Sequence, residues 1–143
     1  MFALFCGCLI VASTYADPNE KVLKAFSETF TAAQNVKWQE LDEFYFVSFD
    51  NAGTYSRVRY DKDGNIVGST RYYTPTQLPL NILTKIKREY SRKELYGVTE
   101  VTVGDTMTYF VKMQDDKNWI TLKIDSEGNS EVYEKYRKAS PSK

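Results

Sequence analysis

Two stretches of this chain repeat one another at a constant offset of 64 positions, and the matching residues are those of strands and turns. Asp61, Gly64, Asn65 and Tyr72 recur as Asp125, Gly128, Asn129 and Tyr136, and Tyr45-Phe46-Val47 recurs as Tyr109-Phe110-Val111. Self-similarity at a fixed period constrains architecture more than any local propensity does. It predicts an α+β protein made of a tandem repeat of two modules, each a helix packed on a four-stranded antiparallel sheet. The repeat occupies residues 17–73 and 74–138, after a leader at 1–16 and before a flexible tail at 139–143.

The leader stands apart in composition. Met1 to Ser13 is uncharged and largely apolar, and Thr14-Tyr15-Ala16 precedes a polar start at Asp17. The run is too short to span a bilayer, and Thr14 and Ala16 are small residues spaced as signal peptidase reads them. A secretory signal peptide is expected, with a periplasmic or secreted mature chain. Cys6 and Cys8 lie within it, too near Met1 for a lipid-attachment site with a normal apolar region ahead. From Asp17 onward there is no thiol, and histidine is absent throughout. Ser-His-Asp and Cys-His catalysis, zinc sites of the usual ligands and haem or iron–sulfur ligation through those residues are thereby excluded. No cofactor and no enzymatic role is expected.

Nineteen basic residues balance nineteen acidic ones, so no global field draws the chain to nucleic acid or an anionic membrane. Asp17-Pro18-Asn19-Glu20 is a helix start with Asp17 as N-cap, and Val22, Phe26 and Phe30 form an apolar stripe running toward Gln34. Strand patterns follow at Val36–Leu41, Phe44–Phe49, Thr54–Tyr60 and Ile66–Tyr72. After the punctuation at Thr74–Pro79, Leu83, Ile86 and Tyr90 restore a helical period, and strands are expected at Val98–Val103, Thr106–Met113, Trp119–Ile124 and Glu131–Tyr136. Asp61–Asn65 and Asp125–Asn129 have the beginnings of a calcium loop but lack its later ligands and lie between strands, so they read as hairpin turns.

Several of these features together resemble the PepSY-like family, also described as β-lactamase-inhibitor-like, of small exported bacterial proteins. They are Pro18 with Val36 and Trp38, the Asp61-Lys62-Asp63-Gly64-Asn65 turn, Leu78-Pro79 followed by Ile82, Ile86 and Tyr90, Gly97-Val98-Thr99-Glu100-Val101, and the run from Tyr109. The resemblance implies two helix-and-sheet repeats and a binding or inhibitory role. It transfers no functional residue.

A period of two assigns the sheet faces. Ser56, Val58 and Tyr60 align with Ile120, Leu122 and Ile124 and turn toward the helices. Their alternates then gather on an open face: Phe44, Phe46, Tyr55, Arg57, Arg59, Arg71, Phe110, Lys112, Trp119, Lys123, Tyr133 and Lys135, with Tyr73 and Arg137 beside them. Aromatic residues and arginine are the types enriched at the energetic centres of protein interfaces. The alternation therefore predicts a non-catalytic module that engages a protein or peptide of the cell envelope. The alternative is an anionic envelope polymer, lipid or small ligand bound by the same cations. A monomer or weak dimer is expected, with no nucleic-acid partner and no metal.

Overall fold

A computed structural model describes residues 17–140; the signal peptide assigned to residues 1–16 lies outside the described residues. The order of elements is α1 (Glu20–Thr29), β1 (Gln34–Leu41), β2 (Phe44–Asn51), β3 (Thr54–Tyr60), β4 (Ile66–Tyr73), a 3-10 turn (Pro75–Gln77), α2 (Leu80–Glu89), β5 (Glu94–Val103), β6 (Thr106–Gln114), β7 (Asn118–Asp125) and β8 (Ser130–Arg137). The strands form one antiparallel sheet in sequence order, β1 to β8. The expected pair of modules with separate four-stranded sheets is therefore corrected to a single eight-stranded sheet carrying two helices. The reason is the β4–β5 ladder, which pairs Gly68 with Val103 through Tyr73 with Val98 and consumes the two edges that separate sheets would leave open.

Both helices cover the same face. Val22 and Phe26 of α1 pack on Tyr45, Val47, Phe49, Val58 and Tyr60, with Phe30, Ala33 and Trp38 at the margin. Ile82 and Ile86 of α2 pack on Val98, Tyr109, Val111, Met113, Ile120, Leu122 and Ile124. These strand residues share a face through the successive registers, for example Val98↔Val111↔Leu122. The buried alternation of β2, β3, β6 and β7 matches the helix-facing sets that the period of two predicts.

The first helix begins later than expected. Its N-cap is Asn19, not Asp17: the Asn19 side chain accepts from Val22 N–H at 3.0 Å while its amide donates to the Lys62 carbonyl at 2.9 Å. One residue thus caps α1 and ties it to the β3–β4 turn, so local capping and long-range docking favour the same start. The helix stops at Thr29, short of Gln34, because Gln34 already pairs with Asp50 at the start of β1.

Register shifts interrupt four of the seven ladders, and those in β4 and β8 alter the faces of expected site residues. Tyr60 pairs with Ile66 while its neighbour Arg59 pairs with Gly68, so Val67 is an extra residue in β4. In the same way Thr121 pairs with Glu134 and Leu122 with Val132, which makes Tyr133 extra in β8. Each inserted residue reverses the parity of the strand residues beyond it.

Candidate functional site

The uncovered face of the sheet brings together most of the expected site residues. Phe44 and Phe46 of β2, Tyr55, Arg57 and Arg59 of β3, Phe110 and Lys112 of β6, and Trp119 and Lys123 of β7 all alternate with the buried set. Tyr133 joins them through the β8 bulge, its ring meeting Phe110 at 5.1 Å between centroids. One ladder row runs Asp50↔Tyr55↔Tyr72↔Thr99↔Phe110↔Lys123↔Glu131 across six registers. Tyr55 and Trp119 are 43% and 42% exposed, so the covering of this face is left to solvent or to a partner.

Arg71 and Lys135 do not join this group. Beyond the bulge at Val67, Arg71 pairs with the buried Ser56 and Tyr73 sits in the core under α2. The Arg71 guanidinium donates at 3.1 Å to Glu100, a carboxylate only 6% exposed, which also accepts from the Tyr73 hydroxyl at 2.6 Å. Burial, with this hydrogen bond and the carboxylate charge adding to it, pushes the Tyr73 hydroxyl well above the usual phenol range. Arg71 therefore serves to pair a buried charge at the middle of the sheet. Lys135 is opposite Ile120, on the helix side of β8.

Several residues of the face were not anticipated. Tyr72 meets Tyr55 at a tilt with centroids 5.9 Å apart, and Tyr96 meets Trp119 edge-on at 5.7 Å, with Lys138 Nζ 4.4 Å from the centre of the Trp119 ring. Tyr72 needed knowledge of the bulge at Val67, and Tyr96 is itself the extra residue of a bulge, between Leu95 opposite Met113 and Gly97 opposite Lys112, in a β5 that begins at Glu94 instead of Val98. The signal available for Tyr72 was its own recurrence as Tyr136, which is also on this face beside Trp119.

Between β3 and β5 the face sinks into an open depression of about 240 Å³, lined by Phe46, Arg57, Arg59, Tyr72, Val101 and Val103 over a floor at Gly68. A Cβ at Gly68 would stand 3.3 Å from the Thr102 carbonyl oxygen, a tight approach to backbone, and 3.6 Å from Arg59 Nη2, an ordinary contact. Arg59 also lies over the Phe44 ring at 5.1 Å. Its Nε–H is shielded from water and meets no acceptor among the described residues. Such a donor costs about 1–3 kcal/mol.

The two aspartate turns are closed on themselves. Asp61 accepts from the Asn65 and Asp63 amides and the Asn65 side chain, and Asp125 from the corresponding groups of Asn129 and Glu127, all at 2.9–3.0 Å. These bonds hold both carboxyls below the usual range and spend their acceptors within the turn, as a hairpin requires.

A sheet of eight antiparallel strands with two helices on one face and an aromatic, cationic other face defines a class of small α+β proteins. No known family profile matches the sequence. No curated protein matches it either. The fold is shared by a BLIP-like protein from Bacteroides fragilis, which is 16% identical with a TM-score of 0.60 over 90% of this chain and 94% of that one. It is shared also by a DUF2874 family protein from Bacteroides ovatus, 17% identical with a TM-score of 0.60 over 85% and 89%. A third such structure, from Bacteroides eggerthii and provisionally described as periplasmic, is 16% identical with a TM-score of 0.59 over 85% and 90%. The fold is thus BLIP-like, in keeping with the inhibitor-like half of the resemblance drawn from the sequence; the PepSY name is carried by none of these three.

Proposed function

We propose that the chain is an exported, non-catalytic binding module that engages a protein or peptide of the cell envelope through the open face of its sheet. The observation that carries this reading is the gathering of Phe46, Tyr55, Tyr72, Phe110, Trp119 and Tyr133 with Arg57, Arg59, Lys112 and Lys123 on the one face that neither helix covers. Aromatic anchors among cations are the composition of an interface centre. The description of one fold relative as periplasmic and the naming of another as BLIP-like support an envelope location and an inhibitor-like role, and the apolar leader at 1–16 supports export. No helix among the described residues is long and apolar enough to cross a membrane.

The test is affinity capture from the host envelope, comparing the protein with a variant replacing Tyr55, Arg59 and Trp119 together by alanine, both checked for folding by circular dichroism. A protein retained by the native face alone is the expected result. Equal retention by the folded variant would refute the reading. Raising the salt separates partners: binding that collapses steeply identifies an anionic polymer or lipid, whereas contacts made by aromatic side chains persist.

A further inference from the structure

The charges of the open face are not equally provided for. Lys123 has Glu131 opposite it in the β7–β8 ladder. Arg57, in contrast, has Ser48 and Thr70 as its cross-strand neighbours, and Arg59 has Phe46 and Gly68. No carboxylate lines the depression these two arginines share, and neither makes an ion pair among the described residues. Around them Phe46, Tyr72, Val101 and Val103 supply apolar wall, with Thr70 between Arg57 and Val101.

We propose that the depression over Gly68 receives a carboxylate: the side chain of an Asp or Glu flanked by apolar residues, belonging to the protein segment that the open face engages. The inference rests on the reading of that face as a binding surface and names the chemistry of its partner. Two guanidinium groups supply planar donor forks that match a carboxylate in a bidentate manner. Phe44 supports the Arg59 guanidinium from one side through its ring, an interaction that uses none of the N–H donors. The apolar walls select against a bare inorganic anion, because they gain only from a ligand that brings apolar atoms beside its charge.

The experiment is a nuclear magnetic resonance titration of the purified, nitrogen-labelled protein with acetyl-Leu-Glu-Leu-amide, acetyl-Leu-Gln-Leu-amide and inorganic phosphate, observing the arginine Nε–Hε signals and the backbone amides of the open face. The glutamate peptide should move the Arg59 Nε–Hε signal and the Gly68 and Val103 amides. The glutamine peptide should bind roughly tenfold more weakly or worse, as should the glutamate peptide with Arg59→Gln. Gly68→Ala, which raises the floor while keeping both charges, should weaken the glutamate peptide too; Arg57→Gln serves if Arg59→Gln does not fold. Equal affinity of the two peptides, with open-face amides moving, overturns the carboxylate site and leaves the open-face reading standing. If neither peptide moves any open-face amide, both readings fall. Shifts of the same size from phosphate alone overturn the proposal in favour of a general anion site.

Discussion

Replacing Gly64 and Gly128 by alanine, one at a time, isolates what joins α1 to the sheet. The two glycines hold the same place in nearly identical turns. Their φ angles are +86° and +91°, and each donates its amide to the turn's aspartate carbonyl, at 3.2 and 3.1 Å. Alanine in the left-handed region costs about 1–2 kcal/mol, and the stiffer unfolded chain returns roughly 0.4–1 kcal/mol. At Gly128 nothing further is added, since the new Cβ would meet only Ile82 Cγ1 at 4.0 Å. At Gly64 the Cβ would lie 2.9 Å from the Lys21 carbonyl oxygen and 3.4 Å from Ala25 Cβ, both in α1. The new Cβ is set against helix backbone that no side-chain rotation can clear, so the helix or the turn must move, and overpacking of this kind costs about 1–3 kcal/mol more. Gly128→Ala should thus lose about 1 kcal/mol and Gly64→Ala about 2–4 kcal/mol, a gap of roughly 4–12 °C in melting temperature. Urea unfolding followed by circular dichroism reads both values, with the slope unchanged. Equal losses would refute the argument that close helix docking, beyond the turn conformation, fixes Gly64.

Other outcomes concern buried and titrating groups. The Tyr60 hydroxyl is buried without a hydrogen-bond partner among the described residues and is pushed up to about 12 by burial. Tyr60→Phe should raise stability by about 1 kcal/mol; because a raised folded value means that stability is full below pH 10 and declines toward pH 12, the variant should also lose less in that window, as denaturation at pH 9 and 11 will show. Glu100→Gln keeps the shape but weakens the bonds to Tyr73 and Arg71. The expected loss is about 1–2 kcal/mol, less than for a wholly buried pair, since the Arg71 side chain is 45% exposed; an unchanged melting temperature would contradict it. The carboxyls of Asp61 and Asp125 are held below their ordinary value of 3.8 by hydrogen bonds, chiefly from Asn65 and Asn129. They stabilise the fold above that value and cease to do so as pH falls through their folded values, so Asp61→Asn with Asp125→Asn should flatten the acid limb of the stability profile below about pH 4.

Local pattern controls the parts of the fold that were legible in the sequence. The alternation in β2, β3, β6 and β7 named the buried face, and the Asp-x-x-Gly-Asn turns announced their hairpins, because side-chain period and left-handed glycine act within a few residues. The β4–β5 pairing was not legible: a helix lies between those strands, and alternation says nothing about which edges meet. Nor were the bulges at Val67 and Tyr133, since an inserted residue leaves no mark of its own while it reverses every assignment after it. Arg71 and Lys135 were misplaced for that reason, and Tyr72 was overlooked. Asn19 shows the same limit at a helix start, because its tie to Lys62 is made across the fold.

The open face holds aromatic residues in contact: Tyr55 with Tyr72 on neighbouring strands, and Tyr96 with Trp119 and Phe110 with Tyr133 each across one intervening strand. Aromatic pairs of this geometry contribute about 0.5–1.5 kcal/mol each, so bracing alone gives a reason for them. It gives none for Arg57 and Arg59, whose cross-strand neighbours offer no opposite charge. The core, by contrast, rests on the fully buried Phe49, Val47, Val111, Met113, Leu122 and Ile124 on the other side of the sheet. Substitutions on the open face therefore act on a layer whose energetic share in folding is small, while those beneath the helices act on the large one. This separation allows a single sheet to keep its fold while the residues of its open face change.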